Sequence, residues 1–241
     1  MARQETTEPR IAHDAVRDFY DREYHAGAGA PEDVGWHSRV IASRLGDLRG
    51  KRVLDIACGT GQWLLELQQR GAVPSGIDIS VRAVAQCHRV LPSADIREGI
   101  AERLPFETAS FDLVTCMGSL EHFLDQPGAL AEMRRVGSRG ARFLILVPNA
   151  GFLTRRLGLY RGTHQVAIRE TVRPLAEWQA LLEGAGMEVR AKWRDLHPLA
   201  REWITSGPMH AWPLRAAQAC ALAAWPLAWQ YQVYFYCEGQ T

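Results

Sequence analysis

The sequence predicts an α/β fold in which a mostly parallel sheet is covered by crossover helices. Short runs of β-branched and aliphatic residues alternate with segments whose apolar residues recur at helical spacing. A glycine turn follows the first such run and leads directly into a helical pattern, which is typical of nucleotide-binding sheets. The 241 residues suffice for one sizeable core, so we expect a single domain over 1–241.

Composition excludes several functional classes. A hydrophobic content of 47% and a charged content of 23% are ordinary for a soluble globular protein. A net charge of +1 gives no electrostatic footprint for nucleic acid or for an anionic membrane. The cysteines are dispersed without a C-x-x-C pair, which indicates reduced thiols in the cytoplasm and neither a disulfide framework nor a metal site. We also expect no stable membrane insertion, because the most apolar stretch, 216–237, contains Pro226 and several glutamines.

Two helices are predicted before the first strand. The first begins at Ile11 and ends near Tyr24, and the second covers Trp36 to Leu45. A glycine- and proline-rich turn separates them. Because both precede the sheet, we expect residues 1–45 to form a helical cap over a bound ligand.

The glycine turn decides which nucleotide fits. The strand Val53–Ile56 ends in a turn that contains Gly59 and Gly61, and a helix follows. A dinucleotide fingerprint needs a third glycine at the position of Leu64. Asp55, just before the turn, would repel a pyrophosphate but would suit a ligand with an ammonium group.

The segment Asp55–Gly61 closely resembles motif I of the class I S-adenosylmethionine-dependent methyltransferases. The chain is most similar to small-molecule methyltransferases of the ubiquinone/menaquinone-biosynthesis type, which carry a methyltransferase type 11 domain. The resemblance implies S-adenosylmethionine as cofactor, S-adenosylhomocysteine as its product, and a cofactor-binding half over 51–150. It also implies a Rossmann-like, seven-stranded, mostly parallel sheet with an antiparallel strand seven, helices on both faces, the N-terminal cap and lid insertions. The turn residues expected at the amino acid and sulfonium end are Asp55, Ala57, Cys58, Gly59 and Gly61.

The second strand, Val73–Asp78, ends in an acidic residue. A carboxylate at this position can accept two hydroxyl donors at once, which suits a ribose, and Ile79 follows it into the site. A helix from Val81 to Leu91 and a short strand from Asp95 to Glu98 come next.

The loop Gly99–Phe106 resembles the adenine loop of the family, whose usual form is Gly-Asp-Ala-x-x-Leu-Pro-Phe. Ile100 replaces the aspartate that usually accepts from the adenine amine, so we expect Ile100 only as a wall of the pocket. Adenine recognition then depends on the Ala101 backbone, on Glu102 or another nearby carboxylate, or on packing.

The fourth strand starts near Ser110, and the resemblance implies that its exit lies beneath the sulfonium, lined by Met117, Gly118 and His122. His122 is the first candidate for a general base that takes a proton from an oxygen acceptor. The alternative is that His122 only closes a turn. A second candidate base is His164, in the following irregular segment.

The cap contains three aromatic residues that are able to contact the cofactor. Helical spacing favours ordinary packing for Tyr20. For Tyr24 and Trp36, packing and contact with the amino acid end or the sulfonium remain equally open.

The second half, 151–241, is expected to supply substrate lids and to complete the sheet. The elements predicted after the fourth strand are a helix from Pro127, strand five (Arg142–Val147), an irregular lid (149–173), a helix (Pro174–Gly184), strand six (Met187–Trp193), a lid of one or two short helices (195–226) and strand seven (Gln230–Cys237).

The sequence therefore predicts a methyltransferase that acts on a small, apolar or aromatic molecule, by O- or C-methylation, in quinone or secondary-metabolite biosynthesis. The three tryptophans of the last lid suggest the apolar acceptor. Two alternatives remain: a catalytically silent S-adenosylmethionine-binding protein and an NAD-dependent oxidoreductase. A homodimer is also left open.

Overall fold

A computed structural model describes residues 7–24, 34–158, 170–205 and 208–240. These residues form a seven-stranded sheet with the order β3-β2-β1-β4-β5-β7-β6. The strands are β1 (Arg52–Ile56), β2 (Val73–Asp78), β3 (Asp95–Glu98), β4 (Phe111–Met117), β5 (Gly137–Pro148), β6 (Met187–Arg194) and β7 (Gln232–Gly239). Strands β1 to β5 pair in parallel, and β7 lies antiparallel between β5 and β6. The predicted fold class, including the antiparallel seventh strand, is confirmed.

The helices cover both faces of this sheet. They are α1 (Thr7–Phe19), α2 (Trp36–Ser43), α3 (Gln62–Gln69), α4 (Val81–Val90), α5 (Gln126–Val136), α6 (Leu153–Arg156), α7 (Leu175–Gly184), α8 (Arg201–Thr205) and α9 (Trp212–Ala224). Among the described residues, no helix has both the length and the apolar character needed to cross a membrane.

Two predicted helices differ from the structure. The first becomes a π-helical segment at Tyr20–Tyr24 and does not stay α-helical to its end. The segment predicted as the last lid contains α9, which is 13 residues long and not a short helix. Its alanine-rich sequence has high helix propensity, Pro213 lies in the first turn where no donor is lost, and Pro226 follows its end.

Two predicted strand boundaries were also wrong. Strand β5 begins at Gly137, because this residue leaves α5 in an extended conformation and pairs at once with Phe111. Strand β7 begins only at Gln232. The Gln230 side chain instead donates to the carbonyls of Leu222 and Trp225, 2.8 and 3.2 Å away, and so holds the end of the lid.

The core lies on both faces of the sheet and fixes the strand ends. One cluster of buried residues includes Met133 of α5 and Trp178 of α7. A second includes Ile41 of α2 and Leu67 of α3. Strand order reverses between β1 and β4, and ligands of open α/β sheets bind outside the carboxyl ends of the strands at such a point.

Candidate active site

The turn after β1 forms the floor of a cleft at this reversal point. Gly59 and Gly61 adopt φ values of +54° and +87°, which side chains rarely adopt. A Cβ atom on Gly61 would lie 2.5 Å from the Cys87 sulfur, so glycine is required there for space as well as for conformation. Ala57 has a φ of +56° without being glycine, and such strain is concentrated at functional sites.

Asp55 lies at the cleft end of β1 and is only 2% exposed. The Thr115 hydroxyl donates to its Oδ1 at 2.6 Å, and Trp63 Nε1 donates to Thr115 Oγ1 at 3.2 Å. Burial raises the pKa of Asp55 to about 7, the Thr115 hydrogen bond lowers it, and the charge of Asp78 raises it further. A cation bound beside this carboxyl would therefore favour its ionised form.

Asp78, at the tip of β2, connects the two nearest loops. Its Oδ2 accepts from the Gly59 amide at 2.8 Å, and its Oδ1 accepts from the Ser80 amide at 2.9 Å. A carboxylate has about four lone-pair positions on its two oxygens and accepts several donors. Ile79 lines the cleft beside it.

The predicted adenine loop lines the same cleft through Gly99, Ile100, Ala101 and Glu102. The Glu102 carboxylate already has partners. Its Oε1 accepts from the amides of Leu124 and Asp125, and its Oε2 lies 3.6 Å from His13 Nε2. Glu102 therefore ties the adenine loop to the exit of β4 and to the cap.

The exit of β4 forms the opposite wall. Met117, Gly118 and His122 line it, together with Ser119, Phe123 and Leu124. Gly118 has a φ of +72°, which turns the chain out of the strand. His122 is 9% exposed, and burial lowers its pKa, while the charge of Glu170 acts in the opposite direction.

The cap closes the cleft from above through α1 and its π-helical extension. Val16 and Tyr20 line the cleft, and the preference for packing of Tyr20 over contact with the cofactor stays a prediction. His13 also lines it and was missed. The spacing of His13, Val16 and Tyr20 places them on one helix face, which is a signal that the sequence contains.

Three predicted residues lie elsewhere or are not described. The Trp36 side chain is 41% exposed and is not among the residues that line the cleft. The side chain of Tyr24 and all of His164 lie outside the described residues. The remaining predicted site residues, 55, 57–59, 78–79, 100–102, 117–118 and 122, line the one cleft, and Gly61 begins the helix beneath it.

The cleft encloses about 350 Å³, within the range of small-molecule sites. The residues present fit S-adenosylmethionine: a buried carboxyl faces a position for an ammonium group, a glycine turn leaves room for close approach, and an acidic residue ends β2. Among the described residues, no three His, Cys, Asp or Glu side chains are grouped to hold a metal ion.

Comparisons with known proteins agree with this geometry. Residues 54–145 match the family model of the methyltransferase domain. A ubiquinone biosynthesis O-methyltransferase of Paracidovorax citrulli is 31% identical over 196 residues, which cover 73% of this chain and 78% of that protein. A demethylmenaquinone methyltransferase of Deinococcus radiodurans is 37% identical over 123 residues, 47% of this chain and 49% of that protein.

A similar fold occurs in the solved complex of the Haloferax volcanii Trm112 methyltransferase activator with a methyltransferase. A chain of that complex aligns with 94% of this chain and 98% of its own length, at a TM-score of 0.72 and 22% identity. At this identity the likeness supports the fold alone. Three findings support the same family: the motif I turn, the cleft at the strand reversal, and a relative that is similar over most of both chains. The chain therefore belongs to the class I S-adenosylmethionine-dependent methyltransferases.

Proposed function

We infer that this chain methylates a hydroxyl oxygen of a small aromatic molecule related to quinone precursors. The observation that carries this inference is the single cleft that joins the glycine turn, Asp78 and the histidine-bearing exit of β4. Met117, Phe123 and Leu124 give that end of the cleft an apolar lining. The O-methyltransferase name of the relative at 31% identity supports the same acceptor class.

Asp55 and the turn from Ala57 to Gly61 would hold the amino acid and sulfonium end of the cofactor. Asp78 would accept from the ribose hydroxyls, because it lines the cleft at the tip of β2 and a carboxylate accepts several donors. Ile100 would form an apolar wall for the adenine beside the Ala101 backbone. These assignments are supported by the shared cleft.

The chain itself needs no nucleophile. When bound, S-adenosylmethionine supplies an electrophilic methyl group on its sulfonium. The cleft residues orient an acceptor hydroxyl against that group, and orientation alone can contribute about 7–11 kcal/mol. His122 is the candidate base that takes the hydroxyl proton, worth about 10²–10⁴-fold where geometry allows.

C-methylation of a quinol ring is a second candidate, supported by the partial similarity to the demethylmenaquinone methyltransferase. It differs from the first in the atom that receives the methyl group. The two are therefore separated by the product and not by the cofactor.

The test uses the full chain, isotope-labelled S-adenosylmethionine and three acceptor groups: alkylated catechols, the same rings with both hydroxyls blocked, and polar sugars. We expect methoxy products from the free catechols only. A ring-methyl product from the free catechols would favour C-methylation, because their ionised hydroxyl makes the ring carbon nucleophilic. Turnover of sugars without phenols, or no heat with S-adenosylhomocysteine in calorimetry, would refute the proposal.

A further inference from the structure

Glu121 and His122 lie next to each other at the exit of β4, but only His122 lines the cleft. Both are buried, with 5% and 9% of their surface exposed. His122 Nε2 lies 3.9 Å from Glu121 Oε1. Glu121 thus stands behind the histidine and does not reach a ligand in the cleft.

Each of these side chains has a polar atom that the described part of the chain leaves without a hydrogen bond. The atoms are Glu121 Oε2 and His122 Nδ1, and both are inaccessible to solvent. Buried polar atoms are nearly always paired, and exceptions call for an explanation such as a catalytic role. The backbone of the same turn is well paired: Glu121 O accepts from the Thr171 amide at 2.8 Å. A loosely built turn therefore does not account for the two orphaned atoms.

The charges around the pair come from three elements. The pKa of Glu121 is raised to about 7, mainly by burial and also by the charge of Glu170, which lies shortly before α7. The same Glu170 opposes the lowering of the His122 pKa by burial. On β4, burial raises the pKa of the Cys116 thiol, as do the charges of Asp55 and Glu121. Glu121 Oε1 and His122 Nε2, 3.9 Å apart, are close enough for the charge of one group to favour the opposite charge on the other.

We propose that Glu121 is a positioning residue whose carboxylate orients His122 and stabilises the imidazolium formed during methyl transfer. The proposal rests on the proposed function, because it concerns the proton transfer at that same site. The acceptor hydroxyl gives its proton to His122, and its oxygen forms the bond to the methyl carbon. The electron pair of the broken carbon–sulfur bond stays on sulfur. The imidazolium favours the ionised form of Glu121, and the positive charge of the sulfonium is replaced by that of the imidazolium.

The test measures the His122 pKa by nuclear magnetic resonance in the full chain saturated with S-adenosylhomocysteine. In Glu121→Gln, which preserves shape, we expect the pKa to fall because the anionic partner is lost. With a working acceptor, kcat should fall about 10- to 100-fold, less than the loss of the base itself, and its acid limb should move to lower pH. Glu177→Gln is the matched control, because Glu177 is exposed on α7 and faces Arg173.

An unchanged His122 pKa in Glu121→Gln would overturn the proposal, as would an equal fall in the Glu177→Gln control. A second measurement needs no variant. In wild-type chain with labelled glutamate carbons, the Glu121 carboxyl should show a titration step at the His122 pKa, and independent titration of the two groups would also overturn it. Neither titration uses an acceptor. If no compound of the acceptor panel were methylated but Glu121 and His122 still titrated together, the proposed substrate would be refuted and the proposed role of Glu121 would stand.

Discussion

Asp55 is a buried carboxyl group at the end of β1, and burial raises its pKa from an ordinary 3.8 to about 7. An acid whose pKa is raised on folding gives its full stabilisation at low pH and loses it as pH rises through 7. Above pH 8 the ionised group costs the ligand-free fold at most roughly 4 kcal/mol. The same charge is what a bound ammonium group requires.

Asp55→Asn should therefore have opposite effects on stability and on binding. At pH 8 we expect the ligand-free variant to unfold at higher denaturant than wild type, because no buried charge remains. Its affinity for S-adenosylhomocysteine should fall about 10- to 100-fold, the value of a hydrogen bond to a charged group. Wild-type binding should also tighten from pH 6 to pH 8, as Asp55 ionises, and the variant should lose this dependence.

Denaturant unfolding and calorimetry at both pH values measure these effects. Asp95→Asn is the control, because Asp95 begins β3 at the opposite end of the parallel strands and is exposed. Unchanged affinity in Asp55→Asn would contradict the assigned role.

Gly61 is required both for its backbone conformation and for space. Gly61→Ala adds a Cβ atom 2.5 Å from the Cys87 sulfur at a φ of +87°, whereas Gly46→Ala meets nothing within 4 Å at a φ of +73°. We expect Gly46→Ala to cost about 1–2 kcal/mol of unfolding free energy from conformation alone. Gly61→Ala should cost more and should weaken S-adenosylhomocysteine binding. Adding Cys87→Ala should recover part of the loss in a double-mutant cycle, and no recovery would show that the clash is not the cause.

At the scale of elements, polar contacts one helical turn apart hold the cap over the cleft. His13 faces Glu102, Arg17 Nε lies 3.4 Å from Glu98, and Asp21 Oδ1 accepts from the Ser80 hydroxyl at 2.6 Å. Asp21 also accepts from the Arg82 amide at the start of α4, where a negative charge is favourable. The cap is thus attached to the loops after β2 and β3 mainly through charged groups.

Asp21→Asn should therefore release the ligand faster without slowing its entry. We expect the dissociation rate of S-adenosylhomocysteine to rise roughly 3- to 10-fold, the effect of weakening one charge-assisted bond by about 1 kcal/mol. Stopped-flow fluorescence of the chain's tryptophans measures this rate. Asp18→Asn is the control, because Asp18 is exposed and pairs only with Arg22 among the described residues. If ligand dissociation became faster by the same factor in both variants, the cause would be the change in net charge and not the loss of the Asp21 contacts.

At the scale of the whole molecule, the sequence predicted what local patterns encode. The spacing of apolar residues along the chain predicted the strands and most helices. The glycine turn with Asp55 predicted the cleft and its ligand class. Contacts between distant segments were not predictable, because they depend on how the elements pack. Tyr20 is an example: its helical spacing suits packing and a cleft wall equally, and only the position of α1 decides.

Several predictions stay predictions. They are the division into a cap (1–45), a cofactor half (51–150) and lids (151–241), the homodimer and the cytoplasmic location.

Asn149, just after β5, connects the sheet to the last lid. Its Nδ2 donates to the carbonyls of Ala228 and Gln230 at 2.9 and 3.1 Å, and its Oδ1 accepts from the Gly151 amide at 2.9 Å. Strands β1 to β4, which carry the cofactor side of the cleft, make none of these bonds. The Asn149 side chain therefore anchors the segment before β7 without contacts to β1 to β4.

Asn149→Ala removes the side-chain donor of the buried Gln230 carbonyl and of the part-buried Ala228 carbonyl, so we expect the unfolding free energy to fall by about 1–3 kcal/mol. Amide exchange should accelerate locally in 225–231, because these residues lose their attachment to the end of β5. Affinity for S-adenosylhomocysteine should stay near wild type, while the KM for the acceptor should rise, since only the lid side is loosened. Gln69→Ala, on the exposed face of α3, should change none of these quantities. If cofactor affinity fell together with acceptor binding, the lids and the cofactor half would be a single cooperative unit, and the separation argued from Asn149 would be wrong.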